Sequence, residues 1–278
     1  MLSNSSELLI LGCGHSEADT LFNNNALVIN PQGSLLIDCG YTIKPALHAQ
    51  GLKLSDIDAV FITHVHADHM FGLERLANEG RYKYQKKAKL ILHRELYDEL
   101  WHQCLKGVLA KNGEGENELS DYFDLMLLEN EEFEIFGNTY QLHRVTHTPG
   151  KVCFGLLINQ SLFYSGDTVA IPALLQQLKP ELIFHDVTLT SYNPVHASVH
   201  SLLELYPSEL CKKIYLMSYE DHWQDYLQLV EQHFAGFARQ GQRKASCFAS
   251  PFIGKPHPSV AGVAPPRDLA GRRFICFG

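Results

Sequence analysis

Four residues able to ligate a metal fall within six positions of this chain: His64, His66, Asp68 and His69, in the run His64-Val65-His66-Ala67-Asp68-His69. Three imidazoles and a carboxylate at that density point to divalent metal chemistry. In an extended loop, side chains two apart face the same side, so His64 and His66 can share one ion. Asp68 and His69 fall on the following turn, within reach of a second. The first ion needs another ligand from elsewhere. His147, in Val145-Thr146-His147-Thr148-Pro149-Gly150, meets that need at a strand end ahead of a Pro-Gly turn. Asp167, in Tyr164-Ser165-Gly166-Asp167-Thr168, ends an apolar strand in a glycine turn, where a carboxylate bridging two ions belongs. Either residue alone would read as an ordinary loop position; beside the hexapeptide both become ligands. The mixed nitrogen and oxygen set suits two divalent ions, zinc first, with manganese or iron as alternatives.

The elements that must carry these residues read as α/β. An apolar strand at 8–11 ends at Gly12-Cys13-Gly14, and strands at 26–29 and 35–38 flank the turn Asn30-Pro31-Gln32-Gly33-Ser34. A short helix is expected at 45–51. A strand at 59–62 then delivers the hexapeptide, and a helix follows at 70–78. After a strand at 90–92, residues 94–128 carry helical periodicity broken at Asn112-Gly113-Glu114-Gly115, which reads as a helical insertion, a lid or dimer element. Strands are expected at 133–135, 139–145, 152–158 and 162–164. Two apolar runs, 182–184 and 214–217, read as parallel strands joined by a helix at 198–205. An amphipathic helix is expected at 225–239. From residue 250 prolines and glycines accumulate, so 250–278 reads as an irregular tail behind a domain spanning 1–249. Two strand series mixed with helices predict two central sheets with helices outside.

Composition limits the partners. The net charge is −8, from 23 basic and 31 acidic residues, which argues against a nucleic-acid footprint. The one basic run, Arg81-Tyr82-Lys83-Tyr84-Gln85-Lys86-Lys87, reads as a solvated loop. Seven cysteines with no CxxC spacing point to reduced thiols and a cytoplasmic protein. The first residues lack the basic segment of a secretory signal, and no apolar run approaches the roughly 20 residues of a membrane helix.

The hexapeptide resembles the HxHxDH motif of the metallo-β-lactamase superfamily, and other segments match in order. Asp38, in Leu36-Ile37-Asp38-Cys39-Gly40, is similar to the family's first-motif aspartate, which orients the hexapeptide from behind. His147 and Asp167 match the third-motif histidine and the fourth-motif bridging aspartate. Leu11-Gly12-Cys13-Gly14 with Asn23-Asn24-Asn25, His185-Asp186-Val187-Thr188 and His196-Ala197-Ser198 resemble the phosphodiesterase branch, which includes the tRNA 3′-processing endonuclease and cyclic-nucleotide phosphodiesterases. The resemblance covers residues 8–240. It implies a four-layer αββα sandwich with metals at one edge of the sheets, and family habit implies a homodimer.

The same resemblance implies a mechanism. Two ions about 3.5–4 Å apart lower the pKa of a water held between them and favour in-line displacement at phosphorus. Asp68 or Asp167 would accept the proton of that water. His196, polarised by Asp186, would protonate the leaving oxygen. His15 is a candidate substrate contact, and His185 lines the pocket or packs beneath it. The expected activity is hydrolysis of a nucleotide-like or other small phosphodiester. The alternatives are a hydrolase of a non-phosphate ester, a thioester or a lactam, and a non-enzymatic member.

One position departs from the pattern. After the last core strand the superfamily places a histidine that completes the second metal site, whereas this chain reads Leu216-Met217-Ser218-Tyr219-Glu220-Asp221-His222-Trp223. Serine is a poor ligand. Three readings stay open: His222 takes the missing place, water fills it in a two-metal site, or the second site is weak or lost.

Overall fold

The structure is a computed structural model and describes residues 6–246. The expected tail at 250–278 lies outside the described residues. In chain order the strands are β1 (Ser6–Gly12), β2 (Asn25–Asn30), β3 (Gly33–Ile37), β4 (Ala59–Phe61), β5 (Lys89–His93), β6 (Asp124–Leu128), β7 (Glu132–Ile135), β8 (Asn138–Arg144), β9 (Phe154–Ile158), β10 (Leu162–Tyr164), β11 (Leu182–Asp186), β12 (Ile214–Met217), β13 (Gly236–Phe237) and β14 (Arg243–Ser246). They form two seven-stranded mixed sheets, one in the order β14-β1-β2-β3-β4-β5-β6 and the other β13-β12-β11-β10-β9-β8-β7. With their helices they make the expected α/β architecture of paired sheets.

Burial follows from which faces are covered. Leu9, Leu36, Val60, Phe61 and Leu90 are fully buried, because strands sheltered on both faces read as continuous apolar runs. β8 instead alternates: Asn138, Tyr140 and Leu142 are buried while Thr139 and Gln141 are partly exposed. The sheets meet through aromatic rings. Phe61 of β4 stacks on Phe133 of β7 with centroids 5.6 Å apart, and Phe133 on Tyr140 at 4.7 Å. Each such side chain stabilises the fold by about 2 kcal/mol through burial alone.

The parallel strands point their carboxyl ends toward one region. β3, β4, β5 and β6 run parallel in the first sheet, and β10, β11, β12 and β13 in the second. Asp38 follows β3, the hexapeptide follows β4, Asp167 follows β10, Asp186 ends β11 and Ser218 follows β12. Loops at the carboxyl ends of parallel strands are where α/β sheets bind ligands.

Three expectations need correction. Residues 94–128 are helical only over 94–109 and 119–122. A two-stranded hairpin occupies the predicted break, and β6 extends the first sheet beside β5. The apolar run Leu125 to Leu128 pairs as a strand because a sheet edge lies open to it. The expected helix at 225–239 stops at His233, after a short 3-10 turn at Trp223–Tyr226 and a helix at Leu227–His233. Gly236, at φ 134, then turns the chain into β13, which pairs with β12. Third, the basic run does not begin as a loop, since Glu79–Tyr84 continues the preceding helix as a wider turn. Its cations are spent locally: Arg81 pairs with Glu114, Lys83 with Glu79 and Lys86 with Asp58. Lys87 donates to the Ser120 carbonyl. Among the described residues no helix is long and apolar enough to cross a membrane, and the five described cysteines are all unpaired.

Candidate metal and catalytic site

The hexapeptide starts extended and ends helical. His66 has φ −126° and ψ 157°, and Ala67–Met70 forms a single helical turn carrying Asp68 and His69. That turn lies against the backbone after β3. The Cys39 amide donates to the His69 carbonyl at 2.7 Å, and the Asp68 carbonyl presses so closely on Gly40 that a Cβ there would stand 2.0 Å from it.

Three imidazoles are fixed by their far nitrogens. His64 Nδ1 meets Thr63 Oγ1 at 3.0 Å, His69 Nδ1 meets Asp38 Oδ2 at 2.8 Å, and His147 Nδ1 meets the Val195 carbonyl at 2.9 Å. At His64 and His147 the contact sets the tautomer that leaves Nε2 with a lone pair for a ligand. Burial opposes a charged His69, but Asp167, Asp68 and Asp38 outweigh it and hold that ring well above the ordinary imidazole range, so a cation at its Nε2 would displace a proton. Asp38 also accepts from the Thr63 amide at 2.8 Å and from its hydroxyl, so one buried carboxylate orients both ends of the segment. Burial, then the neighbouring His69, holds His64 well below the ordinary imidazole range. Burial and His147 hold His66 at about 4. Both rings are therefore neutral near pH 7 and free to ligate.

The free nitrogens converge. His64 Nε2 and His147 Nε2 stand 3.0 and 3.2 Å from His66 Nδ1. Ligand nitrogens about 2.0 Å from one tetrahedral zinc ion stand about 3.3 Å apart. A second cluster adjoins the first. His69 Nε2 lies 3.3 Å from Asp68 Oδ2 and 3.2 Å from Asp167 Oδ2. Yet that buried nitrogen makes no hydrogen bond, and neither does Asp167 Oδ1. Oxygens this near but off the donor axis surround a common point rather than bond to one another, which fits a cation better than a hydrogen-bond network. Among the described residues every grouping of three or more metal-ligating side chains falls here: His64, His66 and His147; His64, His69 and Asp167; His147, Asp167 and His196.

His196 forms the outer wall. Its ring lies 4.8 Å from that of His147 and 5.2 Å from that of His15, centroid to centroid. His196 Nδ1 bonds Asp186 Oδ2 at 2.7 Å. Burial opposes a charged imidazole, but the Asp186 and Asp167 carboxylates outweigh it and raise His196 to about 9. Asp186 is itself fixed by the Thr168 amide at 2.8 Å. The arrangement holds a charged imidazole at the rim of a cluster suited to metals.

The remaining residues separate. Ser218 is buried at φ 64°, and its neighbour Tyr219 pairs with the glycine turn through Cys13 and His15. His222 is exposed, packs toward Tyr226 at 6.0 Å and joins neither cluster. His185 packs rather than lines: fully buried, it is bonded to the Asp186 carbonyl and to Tyr206 Oη. His200 is exposed. Sequence reasoning did not find the Val195 carbonyl, nor Glu220, which holds Thr188 Oγ1 at 2.5 Å and the Leu189 amide at 2.8 Å. A backbone acceptor has no residue signature, and the Glu220 contacts span about thirty positions.

The sequence matches the family model for Anti-Pycsar protein Apyc1 over residues 6–244. The protein of that name from Paenibacillus xerothermodurans is 39% identical over 229 residues, covering 80% of this chain and 91% of its own. Among solved structures, a diphosphatase from the PhnP family superposes with a TM-score of 0.69 at 18% identity, over 86% of this chain and 97% of that one. The metallo-β-lactamase fold protein YhfI from Bacillus subtilis superposes at 0.67 with 15% identity, over 87% and 100%. These two likenesses establish the metallo-β-lactamase fold. The family match is a matter of sequence and runs through every segment that builds the two clusters, so the chain belongs to the Anti-Pycsar protein Apyc1 family.

Proposed function

We propose that this chain is a metal-dependent phosphodiesterase acting on a small nucleotide-like diester. His64, His66 and His147 would hold one divalent ion, with zinc favoured by three nitrogen donors, and Asp68, His69 and Asp167 a second. Bound there, such ions supply a water of lowered pKa and neutralise charge on the phosphoryl oxygens. His196 donates its Nε2 proton to the leaving oxygen as the P–O bond breaks. Asp186 keeps that imidazole charged and aimed, and a proton from water restores it. The observation that carries this reading is the His196–Asp186 pair beside the clusters, because a diester with an alkoxide leaving group needs an acid at that place. The branch motifs at 185–188 and 196–198 favour a phosphodiester over a lactam or other ester, and the net acidity favours a small substrate over a nucleic acid. Ser218 supports a second reading, in which the second site binds its ion weakly, since only three side chains of the chain supply it.

The test is metal analysis together with turnover of bis-p-nitrophenyl phosphate and of a nucleoside 3′,5′-cyclic phosphate in zinc and in manganese. Turnover of both diesters is expected. No turnover with either metal, alongside less than one ion per chain, rejects the proposal. His196→Ala should slow the cyclic phosphate, whose leaving group is an alkoxide, by about 10²–10⁴-fold and the nitrophenyl ester by far less. Equal losses would remove His196 as the proton donor.

A further inference from the structure

Against His196 lies an open cleft of about 350 Å³. Val169, Ala170, Pro194 and Leu205 give it apolar walls, and Tyr192 and His196 line it beside them. Tyr192 is 77% exposed. Its loop is nevertheless anchored at both ends. Glu220 holds Thr188 and Leu189, Thr190 Oγ1 donates to the Tyr192 carbonyl at 3.2 Å, and Asn193 Oδ1 accepts from the Val195 and His196 amides. Val195 in turn fixes His147. The loop that presents Tyr192 is thus built into the site.

We propose that this cleft receives the base of the substrate, with Tyr192 as its stacking surface. The inference rests on the phosphodiesterase reading above. If His196 protonates the leaving oxygen, the carbon skeleton bearing that oxygen must lie against the ring of His196, and that ring is part of the cleft wall. In a nucleoside 3′,5′-cyclic phosphate that skeleton is the ribose with its base. The volume stands at the small end of ligand sites. Most polar atoms of the wall are already engaged: Ser198 Oγ accepts from the Ser201 amide, Ser201 Oγ donates to the Ser198 carbonyl, and Asn193 Oδ1 accepts from the Val195 and His196 amides. The cleft therefore offers a flat aromatic face and apolar contact rather than a row of spare hydrogen-bonding groups, and every base has a face that stacks.

The experiment compares adenosine 3′,5′-cyclic phosphate with methyl β-D-ribofuranoside 3′,5′-cyclic phosphate, the same cyclic diester without a base, on the full-length zinc-loaded enzyme. Tyr192→Ala is expected to raise KM for the adenosine diester about tenfold and to leave the base-free diester within about twofold. Tyr192→Phe keeps the ring and should keep native KM. Ala170→Trp, which fills the cleft without touching the clusters, should reproduce the Tyr192→Ala pattern. If the native enzyme hydrolyses both diesters but Tyr192→Ala alters both equally or neither, the subsite is wrong while the phosphodiesterase reading stands. If the native enzyme hydrolyses neither, that reading fails and the subsite with it.

Discussion

Ser218 is the residue at which this chain departs from the metal-binding pattern its other segments follow. It sits at φ 64°, in the left-handed region, where histidine is among the better tolerated non-glycine residues. Ser218→His should therefore fold, and it should raise the bound metal toward two ions per chain, read by elemental analysis after dialysis against limiting zinc. An unchanged metal content would mean that the backbone aims position 218 away from the second cluster. At this scale the sequence was informative where chemistry is concentrated. His64 to His69 declare themselves because the ligands are covalent neighbours, and His147 and Asp167 because each follows a strand and precedes a turn. Asp38 and Asp186 were legible only through a family likeness, since an aspartate after an apolar run is otherwise unremarkable. His222 drew attention as a nearby histidine, but the 3-10 turn that starts at Trp223 leaves it on the surface. Tyr192 carried no signal, for its exposure is decided by a loop path that no local pattern encodes.

Elements place these residues by backbone contact as much as by side chains. The helical turn Ala67–Met70 reaches its position only because Gly40 has no side chain where the Asp68 carbonyl lies. Gly40→Ala pushes that turn outward and is expected to cost about 2–4 kcal/mol of stability, with loss of bound metal. Denaturant unfolding and metal analysis check this together; a variant that keeps both would show that the turn relaxes freely. Strands buried on both faces were readable from apolar runs alone. The errors came where an element's identity depends on a distant partner. Residues 124–128 have helix-compatible composition and become β6 because β5 offers an unpaired edge. Residues 236–237 become β13 because β12 does the same, ending a helix whose apolar spacing would have allowed it to continue. Periodicity reports which side of a segment is apolar, not which hydrogen-bonding partner is vacant.

At the scale of the whole molecule, the two clusters draw their residues from both sheets. His64 to His69 belong to the first, His147 and Asp167 to the second. An ion held between them therefore links the halves. Binding only to the folded state at about a thousandfold over its dissociation constant stabilises by about 4 kcal/mol, or about 10 °C in Tm for a domain of this size. Chelation should lower Tm by that amount and zinc should restore it; an unchanged Tm would mean that the sheets hold together without the link. β14 makes a different closure. Residues 243–246 pair with residues 6–9, so the outermost position of the first sheet is filled by nearly the last segment described. On the ribosome, β1 emerges before the other described strands and waits with a bare edge of backbone donors and acceptors until residues 243–246 have been translated. An unpaired edge is where one nascent chain joins another. Biosynthesis of this fold thus runs against its own assembly order, and its exposure to misassembly is set by the time translation takes rather than by the strength of the finished sheet.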